Sequence, residues 1–200
     1  NLYRIIGVFG DQVKLIKYTN IGAYPWSGDG SNNNNTWSES KLNTNILNES
    51  YLNGLENKWQ NLIAESSWQV GGNTYQNIQD VSIRNTYQNE IASPAMNITY
   101  NAKVGLMYVS DYGYAASPDN WGTSLVNYNN DTNRNNNWMF MGWYDWSITR
   151  QADNNANLYG INPSGEVSNY NSAGIAGICG VRPVFYLNSD VLYHSGDGSQ

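Results

Sequence analysis

Few side chains in this 200-residue chain are suited to covalent or metal chemistry, because it has one cysteine and one histidine. His194 lies in the segment "HSGDGSQ", where nothing in the sequence would hold it beside a serine or Cys179 for nucleophilic catalysis. A single cysteine also excludes an internal disulfide and a zinc site built from Cys and His. Between Ile178 and Gly180, Cys179 is expected to be a small buried apolar residue. No GxxxxGK[ST] or GxGxxG motif supports nucleotide binding.

The acidic residues leave two kinds of site open, a calcium site and a catalytic carboxylate pair. "DTNRNNN" places Asp131, Asn133 and Asn135 at alternate positions, like the start of a calcium loop. The sixth position is Asn136 and the twelfth is Gly142, where the helix–loop–helix calcium motif needs Gly and Glu, so that motif fails. An irregular calcium site stays open, built from Asp111, Asp119, Asp131 or Asp145. A carboxylate pair for glycoside hydrolysis also stays open. We expect no metal and no other cofactor.

One segment, "NNNWMFMGWYDWSITRQADNNANLYGINPSGEVSNYNSAGIAG", interleaves aromatic residues with amides. Recognition surfaces have this composition, because rigid rings supply contact area and amides supply adaptable hydrogen bonds. Strand alternation would bury Trp146, Ile148, Leu158 and Ile161 and turn the polar residues outward. We predict a ligand-binding surface formed by Trp143, Tyr144, Asp145, Arg150, Gln151, Asp153, Asn154, Asn155, Asn157, Tyr159, Asn162, Asn169, Tyr170 and Asn171.

Composition narrows the choice of partner. The net charge is −6 and only 13% of residues are charged, so the chain lacks the basic surface that nucleic acids require. The sequence contains no apolar run long enough for membrane insertion. Aromatic residues make up 14% of the chain, which predicts a folded domain with long polar loops despite the many Asn residues. Genomic base composition is an alternative cause of the Asn excess.

Both ends of the chain are predicted to contribute strands. "LYRIIGV" and "VKLIKY" indicate a hairpin joined by the loop 9–12, with Gly10-Asp11 as the turn. In "CGVRPVFYLNSDV", Pro183 cannot donate to a strand ladder, so 180–183 is predicted to lead into a regular strand at 184–187. We expect the first and last strands to pair and to close one domain, residues 1–190, followed by a polar tail or linker, 191–200.

Two helices are predicted in the first third. Thr36 and Glu39 match a capping box, which would start a helix at Trp37. The spacing of Leu52, Leu55, Trp59, Leu62 and Ile63 predicts a second, amphipathic helix. We expect the buried positions to include Trp37, Leu42, Leu55, Trp59 and Leu62.

The remaining elements are predicted as strands and loops. Gly71-Gly72 indicates a hairpin or loop, and "AKVGLMYVS" a central strand. Residues 110–137 are expected to form a long loop pinned to the surface by its aromatic residues. "WSITR", "LYGIN" and "EVSNY", with "NPSG" as a turn, are predicted to form an antiparallel set together with "VRPVFYL".

Several of these motifs resemble an uncharacterised family of bacterial, often surface-exposed domains related to the C-type-lectin-like and formylglycine-generating-enzyme-like folds. The first hairpin, "TWSESKLNTNILN", "AKVGLMYVS", "WSITR", "GEV" and "GVRPVFYL" follow that family's order from about Leu2 to Leu187. The resemblance implies that Arg182 satisfies buried carbonyls or a carboxylate as a structural lock. Variable proteins diversified by adenine-mutating retroelements end in a similar "G-x-RP" strand, preceded by their binding surface. The enzyme branch uses cysteines that Cys179 alone cannot replace.

The sequence therefore predicts an α+β domain, and the resemblance implies a C-type-lectin-like fold. Its expected function is non-enzymatic recognition or adhesion, outside the cell or at its surface, with a protein or glycan on another cell or surface as partner. A structural subunit or tip adhesin of a surface filament is the alternative. A carboxylate-dependent glycan-cleaving enzyme is the third possibility.

Overall fold

The computed structural model describes residues 2–27, 34–172 and 179–191. Within these ranges the strands are β1 (Tyr3–Phe9), β2 (Gln12–Lys17), β3 (Ser66–Gln69), β4 (Thr99–Ala102), β5 (Val104–Gly105), β6 (Asp145–Arg150), β7 (Asn157–Ile161), β8 (Val167–Asn171) and β9 (Val184–Tyr186). They form three antiparallel sheets, in the orders β1-β2-β9-β5, β3-β4 and β6-β7-β8. The chain is thus an α+β protein, as the sequence predicts.

The helical segments are short. They are Trp37–Glu39, Leu42–Tyr51, Asn57–Gln60, Tyr75–Asp80, Ile83–Tyr87, Gln88–Ala92, Val109–Tyr114, Pro118–Asn120, Leu125–Asn127 and Asp131–Asn135. Leu42–Tyr51 and Gln88–Ala92 are wound as π-helices, and the three-residue segments Trp37–Glu39, Pro118–Asn120 and Leu125–Asn127 are 3₁₀ turns. None of the helices in the described ranges has the length and apolar character needed to cross a bilayer.

The N-terminal hairpin is confirmed, with a tighter turn than expected. Phe9 pairs with Gln12, so the loop is two residues, and Gly10 has a φ of 64°. Glycine adopts this left-handed conformation without the steric cost that a Cβ imposes.

The closing strand is central rather than paired with the first strand. β9 lies between β2 and β5, so the expected pairing of the first and last strands is wrong. The hairpin turns β2 inward, with Lys14 and Ile16 buried, whereas Ile5 and Val8 on β1 are exposed. Pro183 precedes β9, and its carbonyl accepts a 2.9 Å hydrogen bond from the Lys17 amide. The predicted lead-in to a regular strand is therefore confirmed, and the regular part is one residue shorter than expected.

The predicted capping box does not form. The Glu39 carboxylate accepts a hydrogen bond from Asn34, and the Thr36 side chain makes no capping bond, so only a 3₁₀ turn forms there. The longer helix begins at Leu42, where Ser40 Oγ accepts a 3.3 Å hydrogen bond from the Asn43 amide.

The second predicted helix is largely wrong. Residues 52–53 continue the preceding helix, Asn57–Gln60 is a separate one-turn helix, and Trp59 is 52% exposed instead of buried. Ile63 forms a β-bridge with Leu187, and the Ala64 amide donates to the Tyr186 carbonyl at 2.8 Å. These backbone groups therefore form hydrogen bonds with the last strand instead of continuing a helix. Of the expected core positions, Trp37 and Leu42 are buried, and Leu55 and Leu62 are half-buried.

The middle of the chain is more helical than predicted. In the "AKVGLMYVS" segment Ala102 ends β4 and Val104–Gly105 form the two-residue β5. A helix starts at Val109, where the Asp111 carboxylate accepts the Tyr108 amide at 2.8 Å. Residues 110–137 are a series of helical turns rather than a loop. Their aromatic residues do anchor them, since Tyr112 and Tyr128 are fully buried. Gly71-Gly72 forms a loop that leads into a helix, not a hairpin.

The predicted strands of the last third form the β6-β7-β8 sheet, and the "NPSG" turn is confirmed by the 2.9 Å bond from the Gly165 amide to the Asn162 carbonyl. β9 is not part of this sheet. It approaches β6 only through its lead-in, where Gly180 bridges to Asp145. Buried apolar residues from Ile16 to Val184 form one core. Apart from Val191, the predicted tail lies outside the described residues.

Candidate ligand-binding site

The loop between β6 and β7, residues 151–156, is fixed by a buried amide. Asn35 donates hydrogen bonds from Nδ2 to the carbonyls of Gln151 at 3.1 Å, Asn154 at 2.7 Å and Asn157 at 2.7 Å. The Asn35 amide also donates to the Asn155 carbonyl at 2.9 Å. One side chain from the first quarter of the chain thereby determines the shape of a loop more than 110 positions later.

Part of the predicted surface is internal. Gln151 is buried; its Oε1 accepts hydrogen bonds from Asn157 at 3.2 Å and Asn169 at 2.9 Å, and its Nε2 donates to Asp153 at 2.9 Å. The prediction that Gln151 faces outward is therefore wrong, and Asn157 and Asn169 are half-buried members of its network. Amides in this sheet satisfy one another, because a buried amide without partners costs free energy.

Two further predicted residues are buried. Tyr159 is fully enclosed in the core, so it cannot provide ligand contact area. Asp145 forms an ion pair with Arg182, at 2.9 Å between Oδ2 and Nη2, and each side chain is 3% exposed. Burial raises the pKa of Asp145 to about 6, and Arg182 opposes that rise, so the carboxylate is ionised at neutral pH. Arg182 also donates to the Met139 carbonyl at 2.9 Å, which is the lock that the resemblance implied.

The other predicted residues divide between the two ends of the β6-β7-β8 sheet. At one end Trp143 is 38% exposed, and Tyr144 packs edge-on against Tyr170, with centroids 5.8 Å apart. Asn162 lies in the β7–β8 turn, where its Oδ1 accepts the Ser164 amide at 2.9 Å. At the opposite end lie the exposed residues Asp153, Asn154 and Asn155 and the half-buried Asn171. The fourteen residues thus form no single continuous surface.

Among the predicted site residues, Arg150 is a partly buried cation whose partners are backbone, amide and sulfur atoms. It is half-buried, and its Nε donates to the Gly71 carbonyl at 3.1 Å. Gly72 fits closely against this position, because a Cβ there would lie 2.2 Å from the Arg150 carbonyl oxygen. Nη1 donates to Asn35 Oδ1 at 3.4 Å, and among the described residues the hydrogen-bond partner of Nη2 is the Met96 sulfur at 3.5 Å, a weak acceptor.

No carboxylate lies within salt-bridge distance of Arg150 in the described ranges. The fully buried cations Lys14 and Arg182, in contrast, each contact a carboxylate. Burial lowers the pKa of Arg150, which reflects the cost of removing an unpaired guanidinium from water.

Arg150 also lines a small cavity of about 80 Å³. The other lining residues are Thr36, Trp37, Ser38, Val70, Ile98, Thr99 and Tyr100. Trp37 is buried, and its indole N–H has no hydrogen-bond partner among the residues that the structure describes. A cation and several hydroxyl-bearing residues therefore line one cavity. This arrangement suits an anionic or carbonyl oxygen.

Sequence reasoning identified Arg150 but not its cavity partners. Thr36, Ser38 and Tyr100 come from two segments far from β6 in the chain, and no local motif marks them. Trp37 was expected only as a core residue, and the side chain is indeed buried.

The acids considered for a calcium site do not converge. Asp111 contacts Lys14 at 2.5 Å, Asp131 contacts Arg134, and Asp145 contacts Arg182. In the part of the chain that the structure describes, no three His, Cys, Asp or Glu residues lie close enough to hold a metal ion. Burial raises the pKa of Glu90 to about 7, the range of a general acid, but Glu90 is 1% exposed and hydrogen-bonds Thr149 and the Ser110 amide. A substrate cannot reach it in this conformation.

Comparisons of the chain with protein-family models, with curated proteins and with solved structures find no match. The architecture of the described residues is an α+β fold with antiparallel sheets.

Proposed function

We propose that this chain is a non-enzymatic recognition module with a C-type-lectin-like fold, which acts outside the cell or at its surface. It binds a carboxylate group of a protein or glycan ligand at the Arg150 cavity, with the exposed end of the neighbouring loop as additional contact surface. The observation that carries this proposal is the half-buried Arg150 side chain, which has no carboxylate within salt-bridge distance in the described ranges and lines a cavity together with several hydroxyl-bearing residues.

Carboxylates outnumber cationic side chains in this chain. The chain has 16 acids and only 10 Lys and Arg residues, so carboxylates for pairing are abundant. Arg150 nevertheless has none nearby in the described ranges, while it bears the desolvation cost of partial burial. A ligand carboxylate would accept two hydrogen bonds from the planar guanidinium and recover that cost. Acidic sugars and acidic side chains both present such a group.

Exposed asparagine side chains next to Arg150 would supply adaptable hydrogen bonds to a ligand. Asn35 contacts Arg150 and also fixes the 151–156 loop, so the exposed Asn154 and Asn155 are held beside the cavity. Exposed amides that carry no packing role can be exchanged at little cost in stability. Asn155 is thus the position at which diversification would alter binding and preserve the fold, whereas the Asn154 side chain accepts a 2.8 Å hydrogen bond from the Ala156 amide and helps to shape the loop.

The test is a screen of the intact chain on an array of acidic glycans, neutral glycans and acidic peptides. We expect binding to at least one carboxylate-bearing probe, and Arg150→Gln should weaken it at least about tenfold, because a charged hydrogen bond contributes about 1.5–3 kcal/mol. The matched control is Arg84→Gln, since Arg84 is exposed on the Ile83–Tyr87 helix.

The array also distinguishes the two sources of the carboxylate, because acidic glycans and acidic peptides are separate probes. Binding to neutral probes alone, or equal binding by Arg150→Gln and the parent chain, would contradict the proposal.

A further inference from the structure

Strand β4 has one edge whose backbone groups lack partners among the described residues. The β3-β4 register shows which groups these are. The Val70 amide donates to the Ile98 carbonyl at 2.7 Å, so these two residues form a hydrogen-bonded pair. Because hydrogen-bonded and non-hydrogen-bonded pairs alternate along an antiparallel ladder, the next pair, Gln69 and Thr99, is not hydrogen-bonded. The backbone N–H and C=O groups of Thr99 and Asn101 therefore point away from β3.

The two edges of this two-stranded sheet differ. On the β3 side, the Gln69 amide donates to the Tyr108 hydroxyl at 2.8 Å, which confirms that it points away from β4. On the β4 side, Thr99 and Asn101 are exposed, and within the described ranges no group bonds their outward backbone atoms. The short strand β5 is capped by Asn48, whose side-chain amide bonds its backbone at 2.8 and 2.9 Å. Natural proteins usually close strand edges, because an open edge is a template for another strand.

The direction of β4 determines which end of an added strand meets Arg150. Residues 98–100, at the N-terminal end of β4, line the Arg150 cavity. An antiparallel strand runs opposite to β4, so its C-terminal end would lie at Thr99. Its terminal carboxylate would then lie at the cavity, where Arg150 has no carboxylate within salt-bridge distance in the described part of the chain.

The cavity suits a single functional group that arrives from the surface. Its volume of about 80 Å³ is far below the roughly 300 Å³ of the smallest sites that enclose a whole ligand. The Arg150 Nη2 contact to the Met96 sulfur lies at the surface, and Met96 is 36% exposed. A carboxylate that displaces this weak acceptor gains a charge-assisted hydrogen bond.

We infer that the carboxylate bound by Arg150 is the C-terminal carboxylate of an extended peptide, which adds to β4 as an antiparallel strand. This inference rests on the proposed function and narrows its ligand to the end of a protein chain. The last peptide residue lies opposite Thr99 and the third from the end opposite Asn101, and both exchange backbone hydrogen bonds with β4. The penultimate side chain projects to the face that Ile98 and Tyr100 share, where an apolar residue is favoured.

The test is isothermal titration of the intact chain with the peptide acetyl-Thr-Ser-Thr-Val-Ser and with its C-terminal amide. The terminal carboxylate is the only charged group of this peptide. The parent chain should bind the free acid at least about tenfold more tightly than the amide, because the amide cannot form the charge-assisted pair. Arg150→Gln should remove this preference, and the matched control Arg84→Gln should keep it.

Two N-methylated peptides test the strand pairing on the unchanged protein. Methylation of the third nitrogen from the C-terminus removes the N–H that donates to the Asn101 carbonyl, so binding should weaken at least about fivefold. Methylation of the penultimate nitrogen is the matched control, because that N–H points away from β4. It should leave the affinity unchanged.

A substitution outside the cavity tests the same pairing from the protein side. Asn101→Pro removes an outward N–H that no described residue accepts, and proline is tolerated on such an edge. It should keep the melting temperature and weaken the peptide at least about fivefold. Asn101→Ala keeps the backbone N–H and should bind as the parent does.

The outcomes separate this inference from the proposed function. Equal binding of acid and amide peptides, together with carboxylate-dependent binding of another probe on the array, would overturn the inference alone. Equal weakening by the two N-methylated peptides, or full binding by a folded Asn101→Pro, would also overturn it. Carboxylate-independent binding of every probe would overturn both.

Discussion

The buried ion pair between Arg182 and Asp145 gives the sharpest prediction about stability. Both side chains are 3% exposed and lie 2.9 Å apart, and Arg182 also donates to the Met139 carbonyl at 2.9 Å. Arg182→Met keeps much of the side-chain volume but leaves the Asp145 charge buried without compensation. Removing one partner of such a pair costs about 3–5 kcal/mol, so urea denaturation at pH 7 should show a loss of that size.

A double-mutant cycle tests whether the ion pair is the cause. Asp145→Asn removes the charge and retains an oxygen for the Trp143 indole, which donates to Asp145 Oδ1 at 3.2 Å. Arg182→Met combined with Asp145→Asn should therefore lose at least about 1 kcal/mol less than the sum of the single losses.

The loss caused by Arg182→Met should also shrink as the pH falls from 7 to 5. Asp145 has a pKa of about 6 in the folded parent, and without Arg182 it would take up a proton at still higher pH. A single-variant loss below about 1 kcal/mol, or additive losses in the cycle, would refute the assignment of Arg182 as a lock.

Two further measurements test buried and exposed side chains. Burial raises the pKa of Glu90 from 4.5 to about 7, so the folded state holds a proton that the unfolded chain releases, and the free energy of unfolding should fall as pH rises through that window. Between pH 6 and 7, above the pKa of about 6 of Asp145, the free energy of unfolding should fall by roughly 1 kcal/mol. Urea denaturation of Glu90→Gln should show no such fall. The same pH dependence in the variant as in the parent chain would refute this explanation. Trp59→Ala should cost about 1 kcal/mol or less, because the side chain is 52% exposed, whereas Trp37→Ala should cost about 3–5 kcal/mol. Similar losses in the two Trp variants would mean that Trp59 is buried after all.

Local sequence signals predicted the elements whose hydrogen bonds are local. The Gly10 turn and the "NPSG" turn join strands with clear apolar alternation, and both hairpins form as predicted. Thr36 and Glu39 have the right spacing for a cap, yet Asn34 takes the Glu39 carboxylate. Trp59 has helical spacing to Leu55 and Leu62, but pairing of the following residues with the sheet ends that helix.

Which residues form the candidate site, and which are buried, depends on contacts between residues that are distant in sequence. Composition drew attention to the segment around Arg150, but its cavity requires Thr36, Trp37 and Tyr100, which other elements bring to it. Asp145 and Tyr159 fit the composition of a recognition surface equally well, and both are buried. Strand alternation cannot reveal such burial, because β6 and β7 are covered on both faces.

The central claim is that Arg150 binds a ligand carboxylate, and a change on the ligand side tests it most directly. Isothermal titration should compare the best carboxylate-bearing probe with its carboxamide analogue, on the parent chain and on Arg150→Gln. The parent should bind the acid at least about tenfold more tightly than the amide, and this preference should vanish in Arg150→Gln, because the amide cannot form the charge-assisted pair. Equal affinity of the parent chain for acid and amide, or a preference that persists in Arg150→Gln, would contradict the claim.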